Sequence, residues 1–175
     1  MSYRPICDVW LLARGAGSSG KPAYYGAFPS GFLRRAKDFL LAGAEGRICH
    51  LCSGAVQDPN STTVDIDPSV QPDYVGDATS TPFMDNSFDA VLIDPPYTEE
   101  DARHYGDCPL PPLPALLKEA CRIVKPGGKV GLLHLLVPRI PVGYVPRYVA
   151  LIAIITGSSQ RIRVFTVLRK VGGWA

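Results

Sequence analysis

The chain has no long hydrophobic stretch. Its longest late apolar run, residues 149–155, is far short of the ~20 residues that span a bilayer. Its first seven residues lack the apolar segment of an export signal. Charge is scarce and balanced, with 18 Lys and Arg against 16 Asp and Glu and a formal net charge of +2. That mild excess permits nucleic-acid binding through a local patch but does not by itself argue for it. There are no charge blocks and no internal repeats. Histidine is limited to three residues, and the one C-x-x-C, Cys49 to Cys52, has neither a second pair nor a paired His after it. Such a lone motif inside an apolar strand-like stretch reads as core, because residues three apart on a strand face opposite ways. It does not read as a zinc site. With no export signal, five cysteines point to reduced thiols and a cytoplasmic protein.

What is present suffices for one packed domain. The chain has 175 residues, 46% of them hydrophobic and 19% charged, which sets it apart from disordered sequences. After an irregular opening of about residues 1–24, Ser30 stands where a helix N-cap is expected. Phe32, Leu33, Ala36, Phe39 and Leu40 then recur at helical spacing, and Gly43 supplies the stop. Short apolar runs at 47–52, 62–66, 74–75 and 88–93 read as strands. Residues 112–124 read as a helix closed by Lys125-Pro126-Gly127-Gly128, and 129–136, 148–156 and 161–169 as further strands, the last two joined at 157–160 as a hairpin. Continuous apolar strands separated by polar turns predict a mostly parallel sheet buried on both faces, ending in an antiparallel hairpin. Short proline-rich links at 53–61 and 137–147 predict that several covering helices are reduced to turns.

The strongest chemical signal is the strand 88–93 ending in Asp94-Pro95-Pro96-Tyr97. An amino group on an aromatic base is a weak nucleophile because its lone pair is delocalised into the ring. Asp94 is placed to accept one N–H and the carbonyl of Pro95 the other, with consecutive prolines fixing that oxygen. Tyr97 offers a ring face for a planar base, its face rather than its hydroxyl being the expected functional group. By itself the tetrapeptide also reads as a strand-ending turn. Three features join it in order. Cys52-Ser53-Gly54 ends the first of these strands with a glycine that allows close backbone approach. Asp65 ends the next, where a carboxylate takes ribose hydroxyls. Gly76-Asp77-Ala78 follows the third, where Asp77 is able to receive an adenine amino group. Each also has a plain reading, as a loop glycine, a capping or solvated Asp, or an Asx turn.

Taken together, residues 76–91 and the tetrapeptide resemble class I S-adenosylmethionine-dependent methyltransferases. More narrowly, the tetrapeptide is similar to the catalytic motif of DNA amino-methyltransferases acting on adenine N6 or cytosine N4. The run 116–128 is similar to the helix and turn before strand five of that superfamily. The run 25–32 is similar to the segment packing on the methionine end of the donor. The resemblance implies a single-domain Rossmann-like α/β fold with no separate target-recognition domain. It implies S-adenosylmethionine as methyl donor without a metal, and donor contacts from Phe28, Pro29, Cys52, Ser53, Gly54, Asp65, Asp77, Ala78 and Asp94. Catalysis is assigned to Asp94, Pro95, Pro96 and Tyr97. His50 stands where the family usually has an acid, and Val56 where it has a second glycine.

The expected acceptor is DNA adenine or cytosine. An RNA base, or a catalytic subunit needing a separate recognition partner, is the alternative. Arg103, His104 and Tyr105, in the expected loop 98–112, suit a phosphate and a base face, or form an ordinary solvated loop. Arg34, Arg35 and Lys37 read as a solvated helix face, and His134 as a core histidine rather than a base. The apolar run 149–155, expected at the sheet edge, suggests a homodimer.

Overall fold

The structure, a computed structural model, describes residues 4–13, 27–105, 108–140, 146–156 and 162–171. Among these residues eight strands form one sheet: β1 (Ile6–Leu12), β2 (Ile48–Leu51), β3 (Ser61–Asp65), β4 (Tyr74–Val75), β5 (Phe88–Ile93), β6 (Val124–His134), β7 (Pro146–Thr156) and β8 (Arg163–Lys170). Their spatial order is β1-β7-β8-β6-β5-β2-β3-β4. Every pairing is parallel except the two made by β8, which runs antiparallel to both β6 and β7. This is the expected single-domain Rossmann-like fold.

One long helix covers each face. Helix α1 (Phe32–Leu41) buries Phe32, Ala36 and Leu40 of the apolar stripe read from the sequence, and leaves its Leu33 and Phe39 partly buried. These pack with Ile48, Ala90, Leu92, Ile152, Phe165 and Val167. A five-residue helix, α2 (Glu99–Arg103), follows β5. On the opposite face, α3 (Leu113–Ile123) buries Leu116, Leu117, Ala120, Cys121 and Ile123 against Cys49, Leu51, Val91, Ile93 and Leu132. The alternation of 48 and 49, or 92 and 93, between the two cores is the period-two signature of strands buried on both sides.

Four sequence expectations are corrected. The opening segment is not irregular throughout, because β1 pairs in parallel with β7 along its full length. Consequently β7 is not an edge strand. It lies between β1 and β8, and the edge argument for a homodimer falls with that placement. Ser30 does not cap α1. Gly31 does, at φ 79°, with no side-chain hydrogen bond, while Ser30 donates its amide to the Ala13 carbonyl at 3.1 Å. Finally, residues 98–112 are not simply a loop. The Thr98 hydroxyl accepts the Asp101 amide and caps α2, whose first turn carries Glu99, Glu100 and Asp101, the favourable sign at a helix N-terminus. The expected hairpin turn at 157–160 lies outside the described residues.

Chain order reverses between β2 and β5. From β2 the chain proceeds to β3 and β4 on one side, and from β5 to β6 on the other. Ligands of open α/β sheets bind at the carboxyl ends of the strands flanking such a point. The carboxyl ends of β2 and β5 carry Cys52-Ser53-Gly54 and Asp94-Pro95-Pro96-Tyr97.

Candidate active site

A cavity of about 540 Å³ opens at that switch point. Of the expected site residues, Phe28, Cys52, Ser53, Gly54, Asp65, Asp77, Ala78, Asp94, Pro95, Pro96, Tyr97 and Tyr105 all line it. Three do not. Pro29 is buried beneath the start of α1, where its carbonyl accepts the Phe32 amide. Arg103 and His104 are exposed at the end of α2.

One side of the cavity is built from the ends of β2, β3 and β4. The Asp65 carboxylate, largely buried, accepts the Gly54 amide at 2.7 Å and the Asp67 amide at 3.0 Å. Side chain and loop thereby fix each other. Gly54 lies at φ 52°, and a Cβ there would meet nothing within 4 Å; the backbone presents an open surface that a side chain would occupy. Asp77 uses Oδ1 for the Thr79 amide and hydroxyl, at 2.7 and 2.8 Å, an Asx-type turn in which Oδ2 takes no part. The Asx-turn reading and the cavity-lining reading of Asp77 therefore hold together. These residues fit an adenosyl donor: a cradle at Gly54, carboxylates at Asp65 and Asp77, and apolar wall from Phe28, Ile66 and Ala78.

Cys52 follows β2 with φ 56°. Burial, with Asp65, Asp94 and Asp77 nearby, holds its thiol well above the usual range. Burial likewise pushes the Cys49 thiol up to about 12. Cys49 packs in the α3-side core, while Cys52 lines the cavity. His50, the departure from the family acid, is buried and lowered to about 4 by burial, which outweighs Asp58. It is a neutral ring 3.6 Å from Asp58, whose carboxylate pairs with Lys37 at 2.6 Å. This cluster sits outside the cavity wall.

At the end of β5, Asp94 lines the cavity. Surrounding protein pushes its carboxyl up to about 7, against a lowering by the Tyr97 hydrogen bond and by Arg163. The Tyr97 hydroxyl donates to Asp94 Oδ1 at 2.8 Å, a partner the sequence reading did not foresee. The Tyr97 ring meets the His134 ring edge-on, with centroids 5.2 Å apart and 73° between planes. His134 accepts the Leu136 amide on Nδ1 at 3.0 Å, and burial lowers it, as suits a neutral supporting ring rather than a base. Asp101, Ala102, Tyr105 and the run Cys108-Pro109-Leu110-Pro111-Pro112 line the cavity as well.

Sequence reasoning missed Arg163. It begins β8, and because β8 is antiparallel to β6, with Val164 opposite His134, that beginning lies at the carboxyl end of the parallel strands. Arg163 is the one cation among the described residues that line the cavity. Nothing local in the sequence marks it.

An open, mostly parallel sheet with a carboxylate-lined cavity at its switch point defines the Rossmann-like class of α/β enzymes. Within that class, residues 42–132 match the family described as "Methyltransferase domain". That match covers more than half of the chain, which belongs to this family. A stretch of 68 residues is 41% identical to a demethylmenaquinone methyltransferase of Corynebacterium glutamicum. It covers 39% of this chain and 25% of that protein, so the chain matches about a quarter of the length of such relatives. Among solved structures, 1,6-didemethyltoxoflavin-N1-methyltransferase from Burkholderia thailandensis superposes with a TM-score of 0.54 and 12% identity. That match covers 80% of this chain and 78% of that one; the structure contains 1,6-didemethyltoxoflavin and S-adenosylhomocysteine. TrmN from Thermus thermophilus superposes at 0.51 with 19% identity, over 79% of this chain and 48% of that one. Both likenesses are of fold.

Proposed function

We propose that this protein transfers the methyl group of S-adenosylmethionine to an exocyclic amino nitrogen of a nucleobase, adenine N6 or cytosine N4 in DNA. The observation that carries this reading is the meeting of two half-sites in one cavity. Asp65, Asp77 and Gly54 form the donor side, and Asp94 to Tyr97 the acceptor side. Phe28, Cys52, Ser53, Gly54, Asp65 and Asp77 hold the donor, which when bound supplies an electrophilic methyl on sulfur. Asp94 Oδ2 accepts one amino hydrogen while Oδ1 stays engaged with Tyr97. The carbonyl of Pro95 accepts the second. Held between these acceptors, the amino nitrogen pyramidalises and its lone pair turns out of the ring plane toward the methyl. A protonated Asp94 would instead donate to that lone pair, so the carboxylate is the working form. The proton lost from nitrogen after transfer passes to Asp94 or to solvent, which needs no strong base.

A second acceptor class has a specific observation behind it. Tyr105 and the residues 108–112 also line the cavity, an enclosure suited to a free planar heterocycle. The Burkholderia thailandensis methyltransferase that shares the fold holds 1,6-didemethyltoxoflavin in its structure. One experiment separates the two. The full chain is incubated with labelled S-adenosylmethionine and separate pools of duplex DNA, single-stranded DNA, tRNA and free amino-heterocycles, followed by nucleoside analysis. Label on N6-methyladenine or N4-methylcytosine from DNA supports the proposal. Label confined to tRNA, or to the free heterocycles, overturns the DNA assignment, and label nowhere overturns independent activity.

A further inference from the structure

Residues 76–79 line the cavity, yet they belong to no helix or strand. Their place depends on how the segment is held at its two ends. In front, the Gly76 amide donates to the Asp65 carbonyl at 2.8 Å. Behind, the grip comes from α3. The buried Glu119 carboxylate accepts the Thr81 amide at 2.8 Å and the Thr81 hydroxyl, both on Oε1. Arg122 reaches the same stretch, donating from Nη2 to the Thr81 carbonyl at 3.1 Å and from Nη1 to the Phe83 carbonyl at 2.7 Å. Its Nε and Nη2 also fork onto Glu119 at 2.8 and 2.6 Å. Neither residue lines the cavity.

A buried ion pair carries a desolvation cost, and apolar residues of similar volume often serve stability equally well. Apolar residues do not select backbone groups, however. A carboxylate and a guanidinium bond at set angles, and here they hold one amide and two carbonyls of residues 81–83. Thr81 follows Asp77 by only four residues, and the Asx turn from Asp77 to Thr79 takes up most of that length. Little slack is left between the grip and the cavity. We propose that Glu119 and Arg122 are positioning residues of the donor site: by gripping residues 81–83 from α3 they seat Asp77 and Ala78 in the cavity and sharpen recognition of the donor's adenine. The proposal rests on the reading of Asp77 as acceptor for the adenine amino group. With Oδ1 committed to Thr79, a displaced segment carries Oδ2 off the base.

The test compares two ligands on the full chain by calorimetry, well below the melting temperature of every variant. One is S-adenosylhomocysteine; the other is S-inosylhomocysteine, which carries an oxo group in place of the adenine amino group. Wild type is expected to prefer the adenine compound by about tenfold or more, because the oxo group turns a donor facing Asp77 into an acceptor. Asp77→Ala abolishes that preference. Arg122→Met reduces it by about three- to tenfold, the size of coupling between residues in one hydrogen-bond network. Thr81→Val, which keeps the side-chain shape and removes only the hydroxyl held by Glu119, reduces it by a smaller factor whatever Arg122→Met does to folding, and Thr81→Ser restores it. Gly131→Ala, which crowds Phe165 in the α1-side core, keeps the full preference. A preference lost in Asp77→Ala but intact in Arg122→Met and Thr81→Val overturns the grip alone. So does an equal loss in Gly131→Ala, which assigns the effect to general loosening. A preference absent from wild type, or intact in Asp77→Ala, removes the adenine assignment of Asp77 and this proposal with it.

Discussion

Replacing Asp65 with alanine removes two hydrogen bonds at once, from the Gly54 amide at 2.7 Å and from the Asp67 amide at 3.0 Å. Hydrogen bonds to a charged group are worth about 1.5–3 kcal/mol each when the freed partner stays dry. Both amides here are only part-buried and regain water, so a total near 2 kcal/mol is expected, lowering the melting temperature by about 4–8 °C for a chain of this size. The same change removes the carboxylate assigned to the donor ribose, weakening binding by about 1–3 kcal/mol, or roughly 5- to 150-fold. The two losses separate in a thermal melt repeated with S-adenosylhomocysteine. At ligand 100 times above its Kd the wild type gains about 2.7 kcal/mol. A variant binding 30-fold more weakly gains about 0.9 kcal/mol under the same conditions. Calorimetry gives the affinities independently. Asp65→Asn, which keeps one acceptor oxygen, is expected to fall between alanine and wild type in both measurements. If Asp65→Ala melts like the wild type and binds S-adenosylhomocysteine equally well, Asp65 neither organises the Gly54 loop nor touches the donor.

Asp94→Ala is expected to lower turnover by about 10²–10³ with little change in donor affinity, and a parallel loss of donor binding would refute a role confined to the acceptor. The pH profile of wild-type kcat/KM should fall tenfold per unit on the acid side of about 7, because Asp94, raised by burial, is ionised only above that value; a flat profile from pH 6 to 8 contradicts this. Gly131→Ala places a Cβ 2.6 Å from Phe165 Cε2, a fully buried ring in the α1-side core, and should cost about 1–3 kcal/mol in denaturant unfolding by overpacking. Glu119 is pushed up by burial, but hydrogen bonds from Arg122 and Thr81 outweigh this and hold it below the usual carboxylate range. Its stabilising contribution is present above the ordinary glutamate pKa and is lost as pH falls through the depressed one. Arg122→Met, which removes the 2.6 Å ion pair to Glu119, should therefore destabilise more at pH 7 than at pH 3. Equal losses at both pH values would count against it.

Local chemistry made much of this protein legible in one dimension. The apolar runs at 74–75 and 88–93 are strands with those very bounds, and the helix expected at 112–124 is α3 shortened by one residue at each end. The stripe Phe32, Ala36, Leu40 is the buried face of α1. Period and punctuation are properties of neighbouring residues, so neighbours reveal them. That residues 52–54, 65, 77–78 and 94–97 would share one cavity was legible for a related reason. Each sits at the end of a strand, and in a parallel sheet all such ends meet at one edge. What sequence could not place depended on pairing across long chain separations. Strand β1 has exposed Ile6, Val9 and Leu11 beside buried Trp10 and Leu12, and its place is set by β7, more than 130 residues away. That pairing moved β7 from the edge to the interior. Antiparallel β8 brings Arg163 to the carboxyl edge beside Tyr97 and Asp94, some 66 residues earlier in the chain. The charge state of Asp94 followed from the same assembly. A tetrapeptide supplies the carboxyl group, but only the folded cavity supplies the burial that raises it and the distant guanidinium that holds it in check.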